Sequence, residues 1–294
     1  MGKRIVLFLL TNLLVVITLS VVLSVLGVGN YVGPDGLNLG ALATFCLIWG
    51  MGGAFISLQI SRWMAKRATG MQLVDGQAAR GEAAWLYQTV ERLTRQAGLP
   101  MPEVGIYDSP EVNAFATGPS KSRSLVAVSS GLLRGMQKNE VEGVLAHEVA
   151  HIANGDMVTM TLLQGVINAF VMFLARLVAF WVRQSSDSRN SYMLSFVVMI
   201  VLQIALGLLG SMVVAWFSRQ REFRADSGGA TLAGRGNMVA ALQRLVANQK
   251  LIDTQHQALA TMKISGAPSK YLWLISTHPP LEQRIAALQQ ATLQ

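Results

Sequence analysis

Four long apolar runs constrain this chain more than any other feature of its sequence. Residues 5–28 and 39–60 carry no charged side chain. Residues 157–182 and 193–217 are almost as apolar, the third run being interrupted by Gln164, Asn168 and Arg176. A helix needs ~20 such residues to cross a bilayer, and each run is long enough. A signal peptide is the other reading of the first run. That run exceeds an ordinary signal core, and the second follows too soon for a mature soluble domain to begin between them. Gly50, Gly52 and Gly53 in the second run permit close helix packing. The polar residues of the third run also fit a buried helical hairpin. Spanning is favoured because Arg176 lies near one end, from where it can snorkel to the interface.

Composition agrees. Of 294 residues 52% are hydrophobic and only 14% charged, with a mean hydropathy of +0.41. This is a membrane-protein balance with room for one catalytic domain. The net charge of +8 would fit nucleic acid, but basic residues flanking membrane segments explain it better, so no nucleic-acid partner is expected. With four spans, Lys3, Arg4, Arg62, Lys66, Arg67, Arg219, Arg221 and Arg224 fall on one side. Arg183 and Arg189 fall on the other, offset by Asp35 and Asp187. The positive-inside rule then puts both termini and the polar segments in the cytoplasm. The single cysteine, Cys46, excludes an intrachain disulfide and suits a reducing compartment.

The chain therefore divides into two membrane helices over 1–60 (about 5–28 and 39–60) and a cytoplasmic part over 61–156. Two further membrane helices over 157–217 (about 157–182 and 193–217) and a cytoplasmic part over 218–294 follow. The 30–38 segment is a Gly/Pro turn. Residues 75–97 form an amphipathic helix with Trp85, Leu86, Val90 and Leu93 on its apolar side. Gly98-Leu99-Pro100 stops it. Three short β-type runs follow at 103–107, 112–117 and 124–129, and they read as a small antiparallel sheet. Asn139 is the expected cap of the next helix. Residues 250–270 are polar and weakly periodic and read as a mobile loop. No repeat or low-complexity segment stands out.

The next helix carries the chemistry. Within 141–156, VEGVLAHEVAHIANGD, stands His147-Glu148-Val149-Ala150-His151. Positions i and i+4 share a helical face, so both imidazoles can bind one metal ion. Glu148 sits on the flank of that face, placed to act as a general base on a metal-activated water. A surface helix with two solvated histidines is the bland reading. The apolar neighbours Val141, Val144, Leu145, Val149 and Ala150 argue that the helix is buried, and buried histidines need partners.

A catalytic zinc site needs a third protein ligand and an open fourth position. Metzincin spacing is absent, because Asn154 and Met157 stand where its glycine and third histidine would be. Lys138, Glu140 and Glu142 on the motif's own helix argue against a site buried within a span. Glu222 is the best remaining candidate, with Asp226 one turn on, where it can accept a hydrogen bond from a ligand histidine. Spacing alone serves an exposed helix equally well, with both acids paired to Arg219, Arg221 and Arg224.

HEVAHIANGDMVTMT, REFRAD, NAFATG and THPPLEQRI, in this order, resemble the HtpX family of membrane-bound zinc metalloproteases. These are relatives of the type I CAAX prenyl proteases with a gluzincin-type core. The likeness covers nearly the whole chain, with no departure at the metal or base positions. It implies a mainly α (α+β) polytopic protein with about four transmembrane helices. A cytoplasmic metalloprotease domain would carry the small sheet. It also implies one Zn2+ per chain held by His147, His151 and Glu222, with Glu148 as base and then acid. The location implied is the bacterial inner membrane, and the work is cleavage of misfolded or damaged membrane proteins under stress. In the related prenyl proteases a His-(x)5-Arg pair lies near substrate and zinc, and His278 and Arg284 match it. His278 would stabilise the oxyanion and Arg284 would meet substrate; otherwise His278-Pro279-Pro280 is a rigid turn. Asn113, Ala114 and the residues after them would form a strand edge that pairs with substrate backbone, or a buried structural strand. A CAAX-type processing protease and a non-proteolytic zinc-binding scaffold are the alternatives. A transporter fits poorly, since spans one and two lack ionisable residues at depth.

Overall fold

A computed structural model describes residues 2–28, 30–33, 36–185, 191–260 and 272–290. Along the chain come α1 (Gly2–Val25), β1 (Val32–Gly33), β2 (Gly36–Leu37), α2 (Leu39–Thr69), β3 (Gln72–Leu73), α3 (Gly81–Gln96), β4 (Glu103–Tyr107), β5 (Ala114–Ser120) and β6 (Arg123–Ser129). Then follow α4 (Ser130–Gly135), α5 (Lys138–Asn154), α6 (Asp156–Gln184), α7 (Ser191–Ala233), α8 (Arg235–Ala260), α9 (Leu272–Ile275) and α10 (Leu281–Gln290). The fold is mainly helical with a small sheet, as expected. Two compact units divide it: Met1–Gln59 with Thr159–Val214, and Ile60–Val158 with Ala215–Gln294.

In the first unit, α2, α6 and α7 are each long and apolar enough to cross a membrane, and the described part of α1 adds a shorter apolar stretch, Leu13–Val25. Large apolar side chains on these helices face outward, among them Leu14, Phe55, Phe170 and Leu208. Water would penalise that surface heavily, and lipid does not. The protein is thus a multi-pass membrane protein. Without a hydrophobic drive between helices, contact rests on close backbone approach. Gly50 supplies one such approach: a Cβ there would lie 2.6 Å from the Ala169 backbone nitrogen.

In the second unit a four-stranded sheet has the order β3-β4-β6-β5. It is mixed, where the sequence suggested an antiparallel one. β5 and β6 pair antiparallel, but β6 lies parallel to β4, with Glu103 opposite Leu125 and Tyr107 opposite Ser129. The reason is burial. Ser124 to Ser129 are all buried, and such a strand belongs at the centre, with neighbours on both sides. β6 therefore inserts between β4 and β5, and β5 is left at the edge. β3 was not foreseen. It is two residues long and shows no alternation. Against this sheet pack Leu86, Val90 and Leu93 of α3 and Val141, Val144, Leu145 and Val149 of α5, forming one core. Each such side chain contributes ~1.5–3 kcal/mol through burial.

Several boundaries differ from expectation. α3 starts at Gly81, not near residue 75, because Asp75 instead closes a turn, its carboxylate accepting from the Gln77 N–H at 3.0 Å. α5 starts at Lys138 with Gln137, not Asn139, as cap. There the Glu140 carboxylate accepts from the Gln137 N–H at 2.7 Å. Residues 250–260, read as loop, continue α8, since Lys, Leu, Gln and Ala are good helix formers. The rest of that segment, 261–270, lies outside the described residues.

Candidate metal centre

α5 is buried along most of its length, His147 included. Its two motif imidazoles stand edge to face, centroids 4.5 Å apart, with their Nε2 atoms 3.1 Å from each other. Both Nε2 atoms face Glu222 of α7. His147 Nε2 lies 3.5 Å from its Oε2 and His151 Nε2 lies 3.4 Å from its Oε1. One donor atom from each of the three residues falls within 4.8 Å of the others.

Glycine brings α7 this close. A Cβ at Gly228 would sit 2.9 Å from the Ala150 Cβ, and one at Gly229 would sit 3.1 Å from the His147 nitrogen. With no side chains there, α7 can lie directly on the turn of α5 that bears the motif. α7 is one unbroken helix from Ser191 to Ala233, so the third carboxylate sits on the continuation of the fourth apolar run.

The other ring nitrogens are held as well. His147 Nδ1 lies 3.0 Å from Asp226 Oδ1, and His151 Nδ1 lies 2.6 Å from Asp156 Oδ2. Carboxylates on Nδ1 fix the ring orientation and leave Nε2 for a metal. The sequence pattern alone assigns Asp156 no role. It follows Gly155, which ends α5 with a left-handed φ of 69°, and that turn carries the chain back beneath His151. Asp226 is gripped in turn by Arg284 of α10, whose Nε and Nη2 donate to its two oxygens at 2.7 and 2.6 Å. Arg284 is itself buried, and its Nη1 lies 3.3 Å from Glu222 Oε2.

Electrostatics follow from this packing. Burial alone would lower the His151 pKa, but the Asp156 and Glu222 carboxylates beside it outweigh that and raise it to about 9. His147 is pushed up in the same way, against burial, by Asp226 and Glu222. Burial would raise the Glu222 pKa, but His147, His151 and His278 hold it well below the carboxylate range. Asp226 is lowered against burial chiefly by Arg284.

A cavity of about 200 Å3 opens over the cluster, lined by Asn113, Ala114, His147, Glu148, Glu222, His278 and Arg284 among others. Glu148 is half-buried on its wall. His278 stands in the turn before α10, largely exposed, with Nδ1 3.2 Å from Glu222 Oε2. Buried Arg219 donates to the Ser276 carbonyl at 2.7 Å and so ties that turn to α7; the sequence suggests a flanking charge, or a partner for Glu222 and Asp226 on an exposed helix. Asn113 and Ala114 stand where β5, one of the sheet's two edge strands, begins.

Two imidazole nitrogens and one carboxylate, oriented from behind and open toward a cavity, are the donor set of a catalytic zinc site. The residues present fit the ion. An H-E-x-x-H helix answered by a glutamate from a second helix defines a membrane metallopeptidase of gluzincin type. The chain belongs to peptidase family M48, whose model matches residues 80–292, and within it to the HtpX group. It is 54% identical to "Protease HtpX homolog" of Verminephrobacter eiseniae over 98% of this chain and 99% of that one. It is 49% identical to "Protease HtpX" of Acinetobacter baumannii over 98% of each chain. Its fold is similar to the crystal structure of S. mikatae Ste24p, with a TM-score of 0.64 and 18% identity over 98% of this chain and 67% of that one.

Proposed function

We propose that this protein is a zinc endopeptidase that cleaves misfolded or damaged membrane proteins at the cytoplasmic side of the bacterial inner membrane. The observation that carries the reading is the convergence of His147, His151 and Glu222 beside Glu148 in one cavity. These three residues would hold the ion. Zinc, when bound, supplies a Lewis acid that activates water and polarises the scissile carbonyl. Glu148 takes a proton from the water as it adds to the carbonyl carbon, then delivers it to the departing amine. Asp156 and Asp226 keep the imidazoles aimed, and Arg284 keeps Asp226 ionised and in place. His278 donates to the carbonyl oxygen as charge builds on it.

Substrate enters as an added strand on β5, from Asn113 and Ala114 onward, with Arg284 in the wall of the same cavity. The support for this is that β5 is an edge whose first residue lines the cavity. Main-chain pairing is indifferent to side chains, which suits an enzyme that must accept many damaged sequences. The relatives named as proteases support cleavage of proteins. Glu148→Gln should keep zinc while cleavage of a membrane-protein substrate falls ~10²–10⁴-fold, the contribution of a general base. Wild-type cleavage by that variant would remove Glu148 from the role.

A further inference from the structure

The first unit holds a second polar site. Arg176 and Arg183 on α6 are seven residues apart, so they share a helical face about 10 Å apart along the axis. Both line a cavity of about 280 Å3 together with Tyr31, Tyr192 and Ser195. Both guanidiniums are stacked on aromatic rings. Arg176 lies 5.2 Å from the Phe45 centroid and Arg183 3.9 Å from that of Tyr192. Arg183 also donates to the Tyr192 hydroxyl. Stacking fixes a guanidinium plane and leaves its N–H edge for an acceptor. For Arg176 that acceptor is lacking among the described residues: its Nη1 is shielded from solvent and has no hydrogen-bond partner there.

Such a group is costly unless something negative meets it. The unit's own acids are only Asp35 and Asp187, both outside the described residues. Two fixed guanidinium edges with a phenol and a hydroxyl around a cavity match a tetrahedral oxyanion, which accepts several hydrogen bonds at once. Phospholipid headgroups present such groups at the interfacial ends of membrane helices. We propose that this cavity binds a phosphate group, supplied by a phospholipid headgroup or by free inorganic phosphate.

The full chain, extracted in a nonionic detergent, would be observed by native mass spectrometry with phosphatidylglycerol, then with inorganic phosphate, then with both. Wild type should retain one lipid per chain after activation that strips the detergent. Arg176→Gln and Arg183→Gln should each cut that retention at least tenfold, whereas Arg62→Gln, whose partner Glu103 lies elsewhere, should not. Displacement of lipid by millimolar phosphate would support the site and mark free phosphate as a competent source. Failure to displace would support it with the headgroup as source. Gel filtration and retained zinc verify that the variants are folded, and Arg176→Lys, which keeps charge without the planar fork, should bind at an intermediate level. Equal retention by wild type and Arg176→Gln would overturn the proposal. So would a tenfold rise in binding on Asp35→Asn or Asp187→Asn, since the chain's own acid would then fill the site.

Discussion

At the scale of single residues, the centre is a set of charges that only make sense together. Four ionisable side chains, Glu222, Asp226, Arg284 and His147, are buried, each within reach of at least two of the others. Removing one partner strands another. Arg284→Ala leaves the Asp226 carboxylate buried with half its support gone, and should destabilise the protein by ~3–5 kcal/mol, read as a lowered unfolding midpoint in detergent. Asp156→Asn removes only the charge behind His151. It should weaken zinc affinity about 10–100-fold while the chain stays folded, measured by competition with a chelating dye. The protons give a third expectation. The zinc-free His151 is raised from the ordinary 6.5 to about 9. Its stabilising contribution is therefore complete below pH 6.5 and is lost as pH rises through 9. Zinc needs the neutral ring, so apparent affinity should climb from pH 6.5 to 9 and level off above it. Calorimetry at pH 7 in buffers of different ionisation enthalpy should report proton release on binding. A pH-independent affinity across that window would contradict the assignment.

At the scale of elements, the site depends on how closely α7 lies against α5, and that distance is set by Gly228 and Gly229. Gly229→Val would push a branched side chain into the His147 backbone and Met238, whose sulfur is 3.0 Å from the added Cβ. Overpacking of this kind costs ~1–3 kcal/mol. Because the strain falls on the ligand pair, zinc content should drop along with the unfolding temperature. The same elements show what was legible in the chain. His147, Glu148 and His151 were readable because their spacing is local and helical. Glu222 and Asp226 were readable as a pair for the same reason, but their meeting with α5 is a tertiary fact with no local signature. Asp156 was hidden by the left-handed turn at Gly155, which breaks the periodicity that would have tied it to His151. The parallel β4–β6 pairing was hidden too, since strand order follows from which strand is most buried and not from order along the chain. α7 was cut short at residue 217 because polarity changes there, although nothing in Ser218 to Asp226 stops a helix.

At the scale of the whole molecule, basic residues are very unevenly distributed. Eight flank the apolar runs on one predicted side and two on the other, Arg183 and Arg189, offset there by Asp35 and Asp187. Each apolar run that crosses reverses the side, so four crossings return the chain to where it began. The excess positive charge then predicts that the termini, and the polar segments bearing the zinc ligands, lie in the cytoplasm. Because Cys46 is the one cysteine and is buried, Cys46→Ser gives a background for single-cysteine mapping. In that background, Asp187→Cys should react with a membrane-impermeant maleimide added to intact spheroplasts. Gln290→Cys should react only after permeabilisation. Labelling of position 290 in intact spheroplasts would mean the opposite orientation. Labelling of both would mean an even number of crossings between them, and the fourth run would then not span. An oriented chain also decides which proteins the enzyme can reach: substrates would be cut in segments that emerge on the cytoplasmic face, where the reducing compartment suits a chain with no disulfide.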